Sequence, residues 1–354
     1  MRWTLNTGLT IFAAALSLSA SAAPGGLSAT ISMDKRTLGP QDDVVVRVTM
    51  INTTSAPISV LKWQTPFGEI EQQLFDVTRD GVKVPYEGMI AKRGAPTSDD
   101  YYLLQPGKSY TATVELSSMY NMSVTGDYSV RFHSKAHGKS QQLLRGDDKQ
   151  SDDLQSEALS VWVDGNKPRG SVPLMQLGQE SAAAAAGLSF SKCTTSQQTS
   201  ITSAVSAAQS MANDGDAYLA AGKTGPRYTK WFGTYNAGRY ATMKQHFAAI
   251  KDAFATKPVT VDCGCKKTYY AYVYPTQPYK IYVCKAFWSA PMTGTDSKGG
   301  TLVHEMSHFN VVASTDDWVY GQSGAASLAI SDPAKAIDNA DSHEYFGENT
   351  PAQQ

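Results

Sequence analysis

A chain of 354 residues, 42% of them hydrophobic, is long enough for about two domains, each with its own core. Its 31 Lys and Arg almost cancel 32 Asp and Glu, and a formal net charge of -1 removes the electrostatic reason to expect a nucleic-acid partner. Met1-Arg2, the apolar stretch around Leu9 to Leu18, and Ala20-Ser21-Ala22 form the three regions of a secretory signal peptide over residues 1–22. Cleavage is expected after Ala22, because a cut one residue later would leave Pro24 directly after the scissile bond. The apolar run is shorter than the ~20 residues of a membrane span, and no second candidate follows. The sequence therefore predicts an exported chain without a membrane anchor.

Over residues 23–165 short runs with alternating or β-branched character are separated by turn residues. They are Leu27 to Met33, Val44 to Met50, Ile58 to Trp63, Leu74 to Val77, Tyr110 to Leu116, Tyr128 to Phe132 and Leu159 to Val163, punctuated by Asp80-Gly81, Pro106-Gly107 and Gly126-Asp127. Strands at this spacing predict an antiparallel sandwich, immunoglobulin-like in outline. It shows no catalytic constellation, and the Asn52-Thr53-Thr54 sequon reads as a polar turn. From 166 to 187 the pattern dissolves into Pro168, Pro173, five alanines and Gly187, the composition of a linker.

Residues 188–354 carry the helical periodicity. Ile201, Val205, Ala208, Ala212 and Leu219 mark one amphipathic helix, and Tyr240, Met243, Phe247, Ile250 and Phe254 mark another. Both stripes are read as core. Three short β-like runs follow Pro258, at Val259 to Asp262, Tyr269 to Tyr274 and Lys280 to Cys284. All four cysteines, Cys193, Cys263, Cys265 and Cys284, lie in this half. An even count in an exported chain predicts disulfides. Three pairings are possible, and Cys263 and Cys265 are too close in sequence to favour joining each other.

The chemistry is concentrated in Gly300 to Gly321. His304 and His308 are four residues apart, one turn on the same face of a helix, where neutral imidazoles can chelate one ion. Glu305 follows the first by one position, so its carboxylate swings off the metal toward the water that the ion activates, the place of a general base. A catalytic zinc needs a third ligand. Val311 and Ser314 stand where a metzincin has Gly and a third His, so that pattern fails; the downstream candidates are Glu344, Glu348 and, thirteen residues after His304, Asp317. In zinc peptidases of this build a strand beside the cleft pairs with extended substrate, and Tyr269 to Tyr274 is either that strand or an interior one. Farther on, Asp341 and Glu344 are three apart and point the same way from a helix. Such a pair is unfavourable in a pocket unless a cation joins it, and is otherwise a solvated acidic patch.

His-Glu-x-x-His followed by Ser-Thr-Asp-Asp-Trp-Val-Tyr-Gly resembles the aspzincin metallopeptidases, the family of deuterolysin and the peptidyl-Lys endopeptidases. The resemblance runs from about Phe190 to Gln353 and leaves out the sandwich. It implies His304, His308 and Asp317 as ligands of one zinc ion per catalytic domain, Glu305 as the base and Tyr320 as a donor to the oxyanion. Ser314 stands where the family has Gly, a departure expected to affect the turn. The resemblance also pairs Cys193 with Cys263 and Cys265 with Cys284. The block Asn339-Ala340-Asp341-Ser342-His343-Glu344-Tyr345-Phe346 is similar to the peptidyl-Lys branch, which implies that Asp341 and Glu344 recognise the lysine just after the cleaved bond. Lys offers three donors on a narrow stem where Arg presents a broad fork. His343 between them reads as a surface residue.

The expected fold class is α+β: a zincin-like, mainly helical catalytic domain with a small sheet, preceded by an all-β immunoglobulin-like sandwich pro-domain. The expected protein is a secreted zinc-dependent endopeptidase, made as a zymogen, cutting protein or peptide substrates on the amino side of lysine by attack of zinc-activated water. Its own pro-domain is the expected inhibitor. That region has no cysteine, so it must cover the cleft or offer a carboxylate, a carbonyl, His133 or His137, two histidines that read as solvated strand-end residues. Ser191-Lys192 and the alanine run both suit processing. Two rivals are a broad-specificity deuterolysin-like endopeptidase and an exported binding or adhesion protein with an inactive peptidase domain; the intact Glu305 argues against the latter. The resemblance extends to secreted bacterial toxins and leaves a part in virulence open.

Overall fold

The computed structural model describes residues 26–134, 139–140, 154–165 and 187–354. The expected signal peptide, the alanine run and His137 lie outside these residues. Among the described residues no helix is long and apolar enough to cross a membrane.

The N-terminal half is built from strands. They are β1 (Leu27–Ser32), β2 (Thr37–Leu38), β3 (Val45–Asn52), β4 (Ile58–Leu61), β5 (Phe75–Arg79), β6 (Val82–Lys83), β7 (Ile90–Lys92), β8 (Tyr101–Leu104), β9 (Ser109–Glu115), β10 (Gly126–Ser134), β11 (Lys139–Ser140), β12 (Leu154–Gln155) and β13 (Leu159–Val163). They form sheets in the orders β1-β3-β9, β2-β13-β10-β5-β6 with β12 on β10, and β11-β4-β8. Period-two burial explains why these segments pair: β10 alternates buried and outward positions, with Tyr128, Val130 and Phe132 in the core. That core, with Val46, Val48, Met50, Phe75, Val77 and Tyr120, is separate from the cores of the C-terminal half. Asn52 closes a polar turn, its buried amide holding Ala56 and Leu104 carbonyls and Thr54. His133 is more enclosed than a solvated strand end: its side chain is 19% exposed, with Nδ1 3.4 Å from Asp76 on the neighbouring strand.

The C-terminal half comprises β14 (Gly187–Ser191), α1 (Thr195–Ala220), α2 (Pro226–Phe232), α3 (Ala237–Thr256), β15 (Pro258–Asp262), β16 (Ala271–Val273), β17 (Lys280–Val283), α4 (Lys285–Ser289), α5 (Lys298–His308), α6 (Gly321–Ser331), α7 (Pro333–Ala336) and α8 (Ala340–Glu348). The two helical stripes read from sequence are α1 and α3, and their apolar positions are buried or half-buried in the core. Thr194 and Gln197 form a capping box that starts α1. Disulfides join Cys193 to Cys263 and Cys265 to Cys284, the pairing the resemblance implied. They close spans of 70 and 19 residues, for which chain entropy suggests about 4 and about 3 kcal/mol.

The sheet of this half runs β14-β15-β17-β16-β7. Its last strand comes from the N-terminal half. β7 pairs antiparallel with β16, matching Ala271 to Lys92, Tyr272 to Ala91 and Val273 to Ile90. Tyr269 to Tyr274 thus contains a strand that receives an extended segment, and that segment belongs to the chain itself. Ser191, considered above as a processing position, lies in β14 opposite Asp262, one residue before Lys192 and two before a disulfide cysteine. An extended pose for Ser191-Lys192 in a cleft would require that strand to come away.

Candidate metal centre and cleft

α5 carries the two histidines and is buried along its whole length. Ser297 caps it, its hydroxyl accepting from Gly300 N–H at 2.9 Å and donating to Glu348 at 2.8 Å. Gly300 leaves room for that carboxylate, since a Cβ there would come within 2.2 Å of Glu348 Oε1. After His308 the chain turns back through Ser314, whose φ of 53° is the left-handed conformation that glycine adopts without steric cost. Ser314 thus stands in the turn itself. The turn delivers Thr315 to α5, with its N–H on the Ser307 carbonyl, and sets Asp317 against the histidines.

Three atoms converge there. His304 Nε2 is 3.1 Å from His308 Nε2, and Asp317 Oδ1 lies 3.2 and 3.4 Å from them. Zinc held tetrahedrally by N and O ligands at ~2.0–2.1 Å separates them by about 3.3 Å, so this triangle has the dimensions of one face of a zinc tetrahedron. The ring tautomers agree. His308 Nδ1 donates to the Thr315 carbonyl at 2.8 Å, and His304 Nδ1 lies 2.8 Å from Asp341 Oδ1, which leaves both Nε2 atoms to face the centre. Burial works to raise the Asp317 carboxyl and to lower both imidazoles, yet their mutual attraction wins: Asp317 is held well below the carboxylate range and both imidazoles above theirs. The trio draws positive charge, for which protons and a divalent cation compete. These residues fit a zinc ion.

Glu305 is completely buried and neither carboxylate oxygen has a hydrogen-bond partner among the described residues. Burial pushes its carboxyl up to about 7. Tyr320 stands at the start of α6, with its hydroxyl 2.8 Å from Asp317 Oδ2 and 2.9 Å from the carbonyl oxygen of Ala91.

Asp341 and Glu344 lie on α8, both fully buried, and the cation between them is Lys92. Its ammonium is 2.5 Å from Glu344 Oε2, 3.1 Å from Asp341 Oδ1 and 3.8 Å from Asp296 Oδ1, flanked by the rings of Tyr270 and Tyr345. Burial alone would lower its pKa; the surrounding carboxylates override this and hold it well above the ordinary lysine value. Burial also acts to raise both acids, and the ammonium keeps Asp341 below its usual value while Glu344 stays raised. Asp341 Oδ2 further accepts Gly321 N–H at 2.6 Å. His304, Asp341 and Glu344 also cluster at metal-ligand spacing, but there the ammonium already supplies the positive charge.

His343 is not on the surface. α8 is enclosed by α1, α2, α5 and α6, so every face of it is covered, and His343 stacks on Phe247 and meets His246 at 3.0 Å. Burial holds its pKa well below the ordinary value, a neutral core imidazole. It bonds the Asn339 carbonyl and is not one of the metal trio. Sequence reasoning missed Lys92 and Asp296. The lysine sits inside Met-Ile-Ala-Lys-Arg-Gly, and its only signal was that an acidic pocket suited to lysine could take one of the chain's own.

The family described as lysine-specific metallo-endopeptidase, the aspzincins, matches residues 217–348. An extracellular protease of Aeromonas hydrophila is 47% identical over 330 residues, 93% of this chain and 93% of that protein. The chain belongs to the aspzincin metalloendopeptidases. This aspzincin is also 33% identical to the peptidyl-Lys metalloendopeptidase of Armillaria mellea, over 99% of each chain. A zinc peptidase from Grifola frondosa of known structure is 47% identical over 46% of this chain and 100% of its own, with a TM-score of 0.44. The aspzincin family implies zinc, and the residues that fit it here are His304, His308 and Asp317.

Proposed function

We propose that this aspzincin is a secreted zymogen whose C-terminal half hydrolyses peptide bonds on the amino side of lysine. The observation that carries the reading is the juxtaposition of a metal-fitting trio with a buried acidic pocket one residue along an extended strand: the Ala91 carbonyl is at Tyr320 and the next side chain is between Asp341 and Glu344. Asp341 and Glu344 also face the His304 ring, but a broad-specificity site would have no use for a second buried carboxylate held beside the first by an ammonium. When bound, zinc supplies Lewis acidity to a water molecule and to the substrate carbonyl. Glu305, unpaired and with its carboxyl raised, takes the proton from that water and passes it to the leaving amine. Tyr320 donates to the oxygen on which negative charge develops. Asp341 and Glu344 fix the lysine ammonium, and β16 holds the substrate main chain by strand addition.

The N-terminal half is the inhibitor, because β7 fills the place of a substrate strand on β16. The similarity to an extracellular protease supports export, in agreement with residues 1–22. The test is a chain with an engineered cleavage site between residues 166 and 187, incubated after cutting with a peptide of mixed composition and mapped by mass spectrometry. Cuts before lysine, lost with a chelator and restored by zinc, are expected. Cuts spread evenly over residue types would sink the specificity.

A further inference from the structure

The segment Ile90-Ala91-Lys92 does more than cover the cleft. We infer that the Ala91–Lys92 bond is the enzyme's own first substrate, and that the chain remains assembled and latent after this bond is cut. The inference rests on the peptidase reading above and deepens it.

Both sides of the bond are held as a substrate would be. The Lys92 side chain fills the acidic pocket, its carbonyl accepts Tyr270 N–H at 3.1 Å, and the Ala91 carbonyl accepts the Tyr320 hydroxyl. An inhibitor that only blocked access would not need its lysine in the specificity pocket and the preceding carbonyl at the oxyanion donor together. In the reaction, the oxygen of water bonds to the Ala91 carbonyl carbon and the bond from that carbon to the Lys92 nitrogen breaks. Glu305 carries one proton from water to that nitrogen, and the second proton of the water passes from the new carboxyl to the amine, giving a carboxylate at Ala91 and an ammonium at Lys92.

The cut ends have no easy way out. Upstream, Ile90 is 4% exposed, within the core of the N-terminal half. Downstream, Arg93 is paired with Glu71, with its guanidinium 4.9 Å from the Trp63 ring centre and 5.0 Å from that of Tyr269. Strands on opposite sides of the bond are partners throughout: β3 pairs β9, β4 pairs β8 and β5 pairs β10. A nick therefore breaks β7 alone, leaves the sheets of the N-terminal half intact and leaves the new Ala91 carboxylate in the cleft. Release requires the whole N-terminal half to leave, which the 166–187 segment governs.

Full-length wild type and Glu305→Gln are purified metal-free, given zinc, and followed by denaturing intact-mass spectrometry and native size exclusion. The wild type is expected to yield one piece ending at Ala91 and one beginning at Lys92 under denaturant, without reductant, since all cysteines lie at 193 or beyond. Its native elution should be unchanged; Glu305→Gln should stay whole, and Lys92→Ala should lose this cut. Should Lys92→Ala fail to fold, acetylation of native metal-free wild type tests the pose: Lys92 is expected to stay unmodified while exposed Lys267 reacts, and a labelled Lys92 overturns the inference. Pieces that separate on native sizing also overturn it. A chain cut at the engineered 166–187 site that cleaves lysine peptides yet never shows the Ala91–Lys92 cut overturns this inference alone. One that cleaves neither overturns the peptidase reading with it.

Discussion

Glu305 and Glu344 are both fully buried carboxylates in different surroundings: Glu344 meets an ammonium, whereas Glu305 has no hydrogen-bond partner among the described residues and is pushed up to about 7 by burial. A buried acid with no partner among the described residues costs stability, which suits Glu305 to the proton-carrying role proposed above. Glu305→Gln keeps the size and removes that function. Turnover of a lysine peptide is expected to fall by ~10²–10⁴-fold while bound zinc, measured by atomic absorption, is unchanged. Full activity in a metal-replete Gln variant would refute the role. At this scale the sequence was legible where contacts are local. His304, Glu305 and His308 follow from spacing on one helix, and Ser307 and Thr315 support them within eleven residues. Lys92 and Asp341 are 249 positions apart, and nothing local in either segment announces the other.

The helix that carries the histidines is positioned by its first turn. Ser297 satisfies Gly300 N–H and shares its own N–H and hydroxyl with Glu348 Oε1. Ser297→Ala removes the cap and is expected to cost about 1 kcal/mol in urea unfolding; an unchanged midpoint would mean the cap is dispensable. Glu348 has a second consequence. Burial raises its carboxyl from 4.5 to about 8, so the folded state favours the protonated form. The sign follows from linkage: the stabilisation is fully present below about pH 4.5 and is lost as pH rises through about 8. Melting temperatures of Glu348→Gln should be flatter than wild type over that window, and parallel curves would exclude Glu348 as the source. Elements differed in legibility for the same reason residues did. β3 and β10 alternate, and both were readable; β7 is three residues, all buried, with its partner strand in the other half, so it carries no period of its own.

On the scale of the molecule, the cores of the two halves are separate, and the halves meet through the borrowed strand β7, the Lys92 side chain and the contacts around them, among them Lys267 with Glu69 and Glu71 and Trp63 with Tyr320, with the disulfides confined to the C-terminal half. Composition and periodicity separate the halves, but their docking depends on which surface strand fits which pocket, and no periodic pattern encodes that. A metal bound by the trio is expected to couple the two. His304, His308 and Asp317 come from α5 and the loop after it, and Asp341 and Tyr320, which contact this trio, also hold Lys92 and Ala91. An ion that binds only the folded state stabilises it by RT ln(1 + [L]/Kd), about 4 kcal/mol at a free concentration a thousand times Kd. Full-length Glu305→Gln, which is expected to stay whole, should therefore melt at a higher temperature as zinc is raised, and chelator should reverse the shift. Asp317→Ala in the same background should lose most of that dependence, because two imidazoles alone leave zinc short of a ligand. A zinc-dependent rise of equal size in both proteins would place the metal elsewhere.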